Sequence, residues 1–175
     1  MRLPDSAHTS RPWRIHEVAP DLRIEDVWAL PTPGGPDDFP RLVELMEGFD
    51  PGRSSSAMVR ALFAIRWKLG DLLGLDGPRS ERSAFTEILR TDREWALEIV
   101  NKTVHGVLHV GWVEDGAGGY RGQMAVLVKP KGRLGELYMA AITPFRHLIV
   151  YPRMLRDLER AWSDSASARR RPVTR

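Results

Sequence analysis

The chain contains no cysteine. Disulfides, thiolate metal sites and cysteine nucleophiles are therefore excluded, and a reducing compartment, the cytoplasm, is the expected location. No apolar run approaches the ~18 residues that a membrane-spanning helix needs. The opening residues, MRLPDSAHTSRPW, lack the apolar stretch of a signal peptide. There is no Gly-x-Gly-x-x-Gly segment and no phosphate-cradling glycine loop, so no nicotinamide or other cofactor is expected. Ser54-Ser55-Ser56 lacks the glycine frame of a nucleophile elbow, which argues against a serine hydrolase. A strong charge excess is missing too: 26 Lys+Arg against 23 Asp+Glu give +3. Four of those positives (Arg169, Arg170, Arg171 and Arg175) sit in the acid-free stretch Ser165–Arg175, and +3 less 4 leaves −1 for the rest. The pI of 9.6 thus belongs to a short tail that touches phosphates at most, and nucleic acid is not the expected main partner.

What is present fits one soluble domain: 175 residues, 42% hydrophobic and 28% charged, enough to bury a core without staples. The expected domain covers residues 12–163, after a flexible N-terminus (1–11) and before a disordered basic tail (164–175). Trp13–Val18 and Ile24–Leu30 read as strands. Pro31–Pro36 (PTPGGP) is a rigid loop, and Asp37-Asp38 opens a helix to about Glu47. Ser54–Ser56 offers N-caps for a second helix to about Leu73. The period then changes. Ala84–Leu89, Glu94–Val100, Thr103–Val113 and Tyr120–Lys129 are β-rich and separated by short reversals, as in an antiparallel meander.

Gly132–Trp162 reads as one amphipathic helix that runs through Pro144 and Pro152. Its stripe is Leu134, Leu137, Tyr138, Ala141, Ile142, Phe145, Leu148, Ile149, Leu155, Leu158 and Trp162. Neither proline can donate a backbone hydrogen bond, so each kinks the helix. The sheet is the natural support for such a helix.

This order of elements resembles the α+β START-like helix-grip fold of polyketide cyclases and lipid-transfer domains, with an antiparallel sheet wrapped around a long C-terminal helix. The segments VWAL, NKTVHGVLHV and YMAAITPFRHLIVYP resemble the bacterial family called domain of unknown function 2867, over about residues 13–162. The resemblance implies an internal cavity for a small hydrophobic, aromatic or amphipathic molecule. Because other members of the family are fused to nucleotide-binding oxidoreductase domains, it also implies an accessory role beside such an enzyme. A homodimer is a further expectation.

Two sets of residues are candidates for chemistry. If Asn101-Lys102 is a two-residue turn, Glu98 lies opposite His105 and Glu94 opposite His109, all on one sheet face. A carboxylate that orients an imidazole is the apparatus of proton transfer, as a cyclase or isomerase would use. The alternative is a solvated face with two ion pairs, because Trp95, Leu97, Ile99, Val104, Leu108, Val110 and Trp112 make the other face apolar. His105 and His109 lack a third ligand, so no metal is expected. The second set is at the helix. Arg146 or His147 is placed to engage the polar end of a ligand whose apolar part lies against Tyr138, Phe145 and Trp95. Ordinary surface residues beside a kink are the competing reading.

Overall fold

The computed structural model describes residues 1–48, 86–100 and 104–170, except the side chains of Phe145 and of 168–170. The fold is α+β. Among the described residues six antiparallel strands form one sheet: β1 (Arg2–Leu3), β2 (Arg23–Ala29), β3 (Thr86–Arg90), β4 (Glu94–Val100), β5 (Val104–Glu114) and β6 (Tyr120–Pro130). Their order is β1-β2-β6-β5-β4-β3, so the chain's last strand pairs with an early one and the meander β3 to β6 completes the sheet. Helix α3 (Phe39–Glu47) begins after Asp38, as the acidic Asp37-Asp38 pair predicts. Two four-residue helices, α1 (Ser6–Thr9) and α2 (Ile15–Val18), precede β2. The expected helix from Ser54 to Leu73 and the Asn101-Lys102 turn lie outside the described residues.

Alternation divides the sheet into two faces, each with its own core. On one face Trp95, Val110, Trp112 and Met124 pack with Leu30, with Phe39, Leu42 and Val43 of α3, and with the C-terminal residues Tyr151, Leu158 and Trp162. On the other, Ala96, Val107, Ala125 and Leu127 pack under Trp13 and Ile15. This second face is not solvated, because the N-terminal segment covers it. Residues 1–11, expected to be flexible, are part of the fold. Arg2 and Leu3 pair with Trp28 and Val27, and His8 is fully buried. Trp13–Val18 is not a strand either. Its bulky side chains reach the sheet from a loop and a single helical turn, a length too short to show a 3.6-residue period.

The C-terminal run is helical from end to end but in three pieces: α4 (Gly132–Phe145), a π turn (Arg146–Val150) and α5 (Tyr151–Arg170). Gly132 enters it at φ 67°, the left-handed region that favours glycine. The segment 164–170, expected as disordered tail, extends α5 instead. Arg41 of α3 stacks on the Trp162 ring at 3.7 Å and hydrogen-bonds the Trp162 carbonyl and Ser165. The indole of Trp162 donates to Pro33 O of the PTPGGP loop at 2.9 Å. The predicted stripe needs correction: Leu134 and Leu137 of α4 and Leu148 of the π turn are exposed. Met139 is the buried residue, with Tyr138 and Ile142 beside it against Val104 and Val128.

Candidate functional site

Two backbone irregularities face each other across the helix–sheet interface. On β2 the register slips between Ile24 (opposite Leu127) and Asp26 (opposite Val126), leaving Glu25 as the extra residue of a β-bulge. The bulge lets two consecutive acids reach toward the same partner, which strict alternation forbids. On the helix, the π turn lies between Pro144 and Pro152, each of which removes one N–H from the regular ladder. The wider turn brings Arg146, His147 and Tyr151 to one target.

That target is Asp26, which is buried. Its Oδ1 lies 2.5 Å from His147 Nε2, and its Oδ2 accepts from Arg146 Nη2 at 2.9 Å and from Tyr151 Oη at 3.1 Å. Arg2 approaches Oδ1 at 3.4 Å from the solvent edge. Arg146 Nη2 also donates to Glu25 at 3.2 Å. The four full charges (Glu25, Asp26, Arg2 and Arg146) sum to zero. Burial first, and then the neighbouring Asp26 carboxylate, push the Tyr151 phenol well above its ordinary range, so it stays a donor. Trp28 completes the group, its ring 5.0 Å from Tyr151 and 6.1 Å from His147. Two buried donors here have no hydrogen-bond partner among the described residues: Arg146 Nε and Trp28 Nε1. His147 keeps part of its ring exposed.

A second polar cluster lies on the other face. Glu94 Oε2 lies 3.3 Å from His109 Nε2, and His109 Nδ1 lies 3.0 Å from His8 Nε2. With Glu94 ionised, the hydrogens must run from His8 to His109 to Glu94, which leaves His8 Nδ1 as a buried acceptor without a partner. Burial holds His8 down at about 3 and also depresses His109. Burial raises Glu94, but hydrogen bonds from His109 and from the Arg14 and Ile15 amides outweigh it, and the net shift is downward. His16 rests edge-on against His8 at 4.9 Å. Among the described residues no group of three or more His, Asp or Glu is arranged to hold a metal ion.

The candidates named from the sequence divide between these places. Arg146 and His147 converge, as expected, on the helix–sheet interface. Tyr138 is half-buried more than two turns before them, and the Phe145 side chain lies outside the described residues. Trp95 is fully buried and donates to Glu87 at 2.8 Å, so it is a wall of the core. His105, Glu98 and His109 share a face, but the register differs from the expected one. Val100 pairs with His105 and Ala96 with His109, two residues along from the two-residue-turn pairing. The histidines therefore meet their acids diagonally: His105–Glu98 at 2.7 Å on the half-exposed rim, His109–Glu94 at 3.3 Å under Trp13. Both pairs lie on the face turned away from the C-terminal helix. The expected acid–base pair of His105 and Glu98 therefore does not face the helix. Glu25, Asp26, Trp28 and Tyr151 went unnamed. Two adjacent acids inside the apolar strand IEDVWAL were the available signal, since strict alternation would strand one of them in a core.

The sequence matches the family model described as "Protein of unknown function (DUF2867)" over residues 18–153, and the chain belongs to that family. No curated protein matches it, and no solved structure does.

Proposed function

We propose that this DUF2867 protein binds a small, largely apolar molecule carrying a neutral hydrogen-bond acceptor, in a START-like helix-grip arrangement. The carrying observation is the pair of unpartnered buried donors, Arg146 Nε and Trp28 Nε1, at the meeting of the β-bulge and the π turn. A buried donor without a partner costs about 1–3 kcal/mol, and an acceptor on a ligand relieves that cost. Both irregularities are types that recur beside functional sites. The charge balance selects the ligand class. Arg146 already meets two carboxylates, so a carbonyl suits the site better than a carboxylate does. The aromatic faces of Trp28 and Tyr151 suit an aromatic or alicyclic body. The long C-terminal helix on one face of an antiparallel sheet supports the helix-grip reading.

The test is titration with the neutral aromatic ketone prodan, whose emission shifts to the blue on leaving water. Saturable one-to-one binding is expected. Trp28→Phe, which removes only the indole N–H and some ring area, should weaken it roughly three- to tenfold. Absence of saturable binding, or equal affinity in Trp28→Phe and Arg146→Lys, would count against this site. Native mass spectrometry of gently purified protein should show a co-purified neutral molecule.

A further inference from the structure

We infer that His147 is a general base, and that the class of molecule bound is an enolisable carbonyl compound from which it removes an α-proton. The inference rests on the ligand-binding reading above and adds a reaction to it. Asp26 is acceptor-only as a carboxylate, so the 2.5 Å contact places the imidazole hydrogen on Nε2. Nδ1 is thereby left with a free lone pair, and among the described residues no group bonds to it. Asp26 fixes this tautomer, and it is itself fixed by Tyr151 and Arg146. This is the arrangement in which a carboxylate orients an imidazole and stabilises the imidazolium that forms. Asp26 is a positioning residue, since it acts only through His147.

The two unpartnered donors supply the other half of the chemistry. A carbonyl oxygen held by Trp28 Nε1–H or Arg146 Nε–H is stabilised most when it carries the negative charge of an enolate. The step balances without a redox partner. His147 Nδ1 takes the α-proton, the C–H pair becomes the carbon–carbon double bond, and the carbonyl π pair moves to oxygen. Return of a proton from the imidazolium to the same carbon gives exchange, and return to a conjugated carbon gives isomerisation. His147 keeps 22% of its side chain exposed, so its new proton can trade with solvent. The pairs His109–Glu94 and His105–Glu98 do not compete for the role. His109 spends both ring nitrogens on Glu94 and His8, and His105 faces away from the helix.

The experiment is wash-in of deuterium at the α-carbon of β-tetralone in heavy water, followed by proton NMR, with saturation-transfer NMR reporting binding in the same tube. The expected result is exchange above the buffer rate that falls at least a hundredfold in His147→Gln, whose amide N–H can still donate to Asp26, while saturation transfer persists. The wild-type rate should also fall with unit slope as pH drops through the titration of a single base. This second readout holds the test even if His147→Gln folds poorly. Binding without exchange, a pH-independent rate, or an unchanged rate in the folded variant overturns the general base and leaves the binding site standing. Absence of both binding and exchange overturns the site reading and this inference with it.

Discussion

Asp26 shows how much one side chain can organise. It is buried, yet four donors from three elements reach it: Arg2 from β1, Arg146 and His147 from the π turn, and Tyr151 from α5. Removing a partner from a buried charged cluster leaves the remaining charges uncompensated, which typically costs 3–5 kcal/mol. Asp26→Ala should lower the unfolding free energy by about that much in urea, and a loss below ~1 kcal/mol would mean that the cluster contributes little. Gly111 is a second residue with a sharp requirement. An added Cβ would lie 2.7 Å from the Trp13 ring, so the indole would have to shift to make room. Gly111→Val should cost about 1–3 kcal/mol through overpacking and redden Trp13 emission as the indole moves toward water. At this scale the sequence announced half of the site. Arg146 and His147 stand out beside a helix proline, whereas the role of Asp26 depends on a bulge and a helix about 120 residues away, which no local pattern encodes.

The elements were legible wherever periodicity is long enough to average over. The strands β4, β5 and β6 and the helix after Asp38 fall close to where alternation and capping put them, and the C-terminal helix continues through both prolines. The two sheet faces were sorted correctly even though the β4–β5 register was displaced by two, because a shift of two preserves face and changes only partner. The helix stripe failed for a related reason. Hydrophobicity at 3.6 spacing marks a broad face, and α4 carries more apolar residues than the sheet can cover. Which leucines point inward is decided by how the helix leaves Gly132. The structure makes a clear distinction between neighbours: Leu137 is 68% exposed and Met139 is 4% exposed. Leu137→Lys should change stability by no more than about 0.5 kcal/mol, while Met139→Ala should cost about 2 kcal/mol or more. Equal effects in thermal unfolding would return Leu137 to the core.

At the scale of the molecule, a single sheet separates two polar clusters that answer to acid differently. The outer one joins the N-terminal segment to the sheet: His8 from α1, His109 from β5 and Glu94 from β4, with the Arg14 and Ile15 amides on the same carboxylate. Its histidines are held neutral by burial. In the unfolded chain they take up protons near the ordinary value of 6.5, whereas in the fold His8 does so only at about 3. Between those limits the unfolded state binds more protons, so stability rises with pH and is lost as pH falls from about 6.5 toward 3. One such group is worth about 1.4 kcal/mol per pH unit in that window. Glu94, whose folded value is lowered, adds a further loss below its ordinary value of 4.5. Urea unfolding at a series of pH values should therefore show stability falling by roughly 2 kcal/mol or more between pH 6.5 and 5, with the N-terminal segment the first part to leave the sheet. His8→Gln, which keeps a side-chain donor for His109 Nδ1 but cannot protonate, should flatten that slope by about one proton. A slope unchanged in His8→Gln would show that the proton uptake belongs to some other group, and amide exchange confined to residues 4–22 at pH 5 would identify the N-terminal segment as what acid releases.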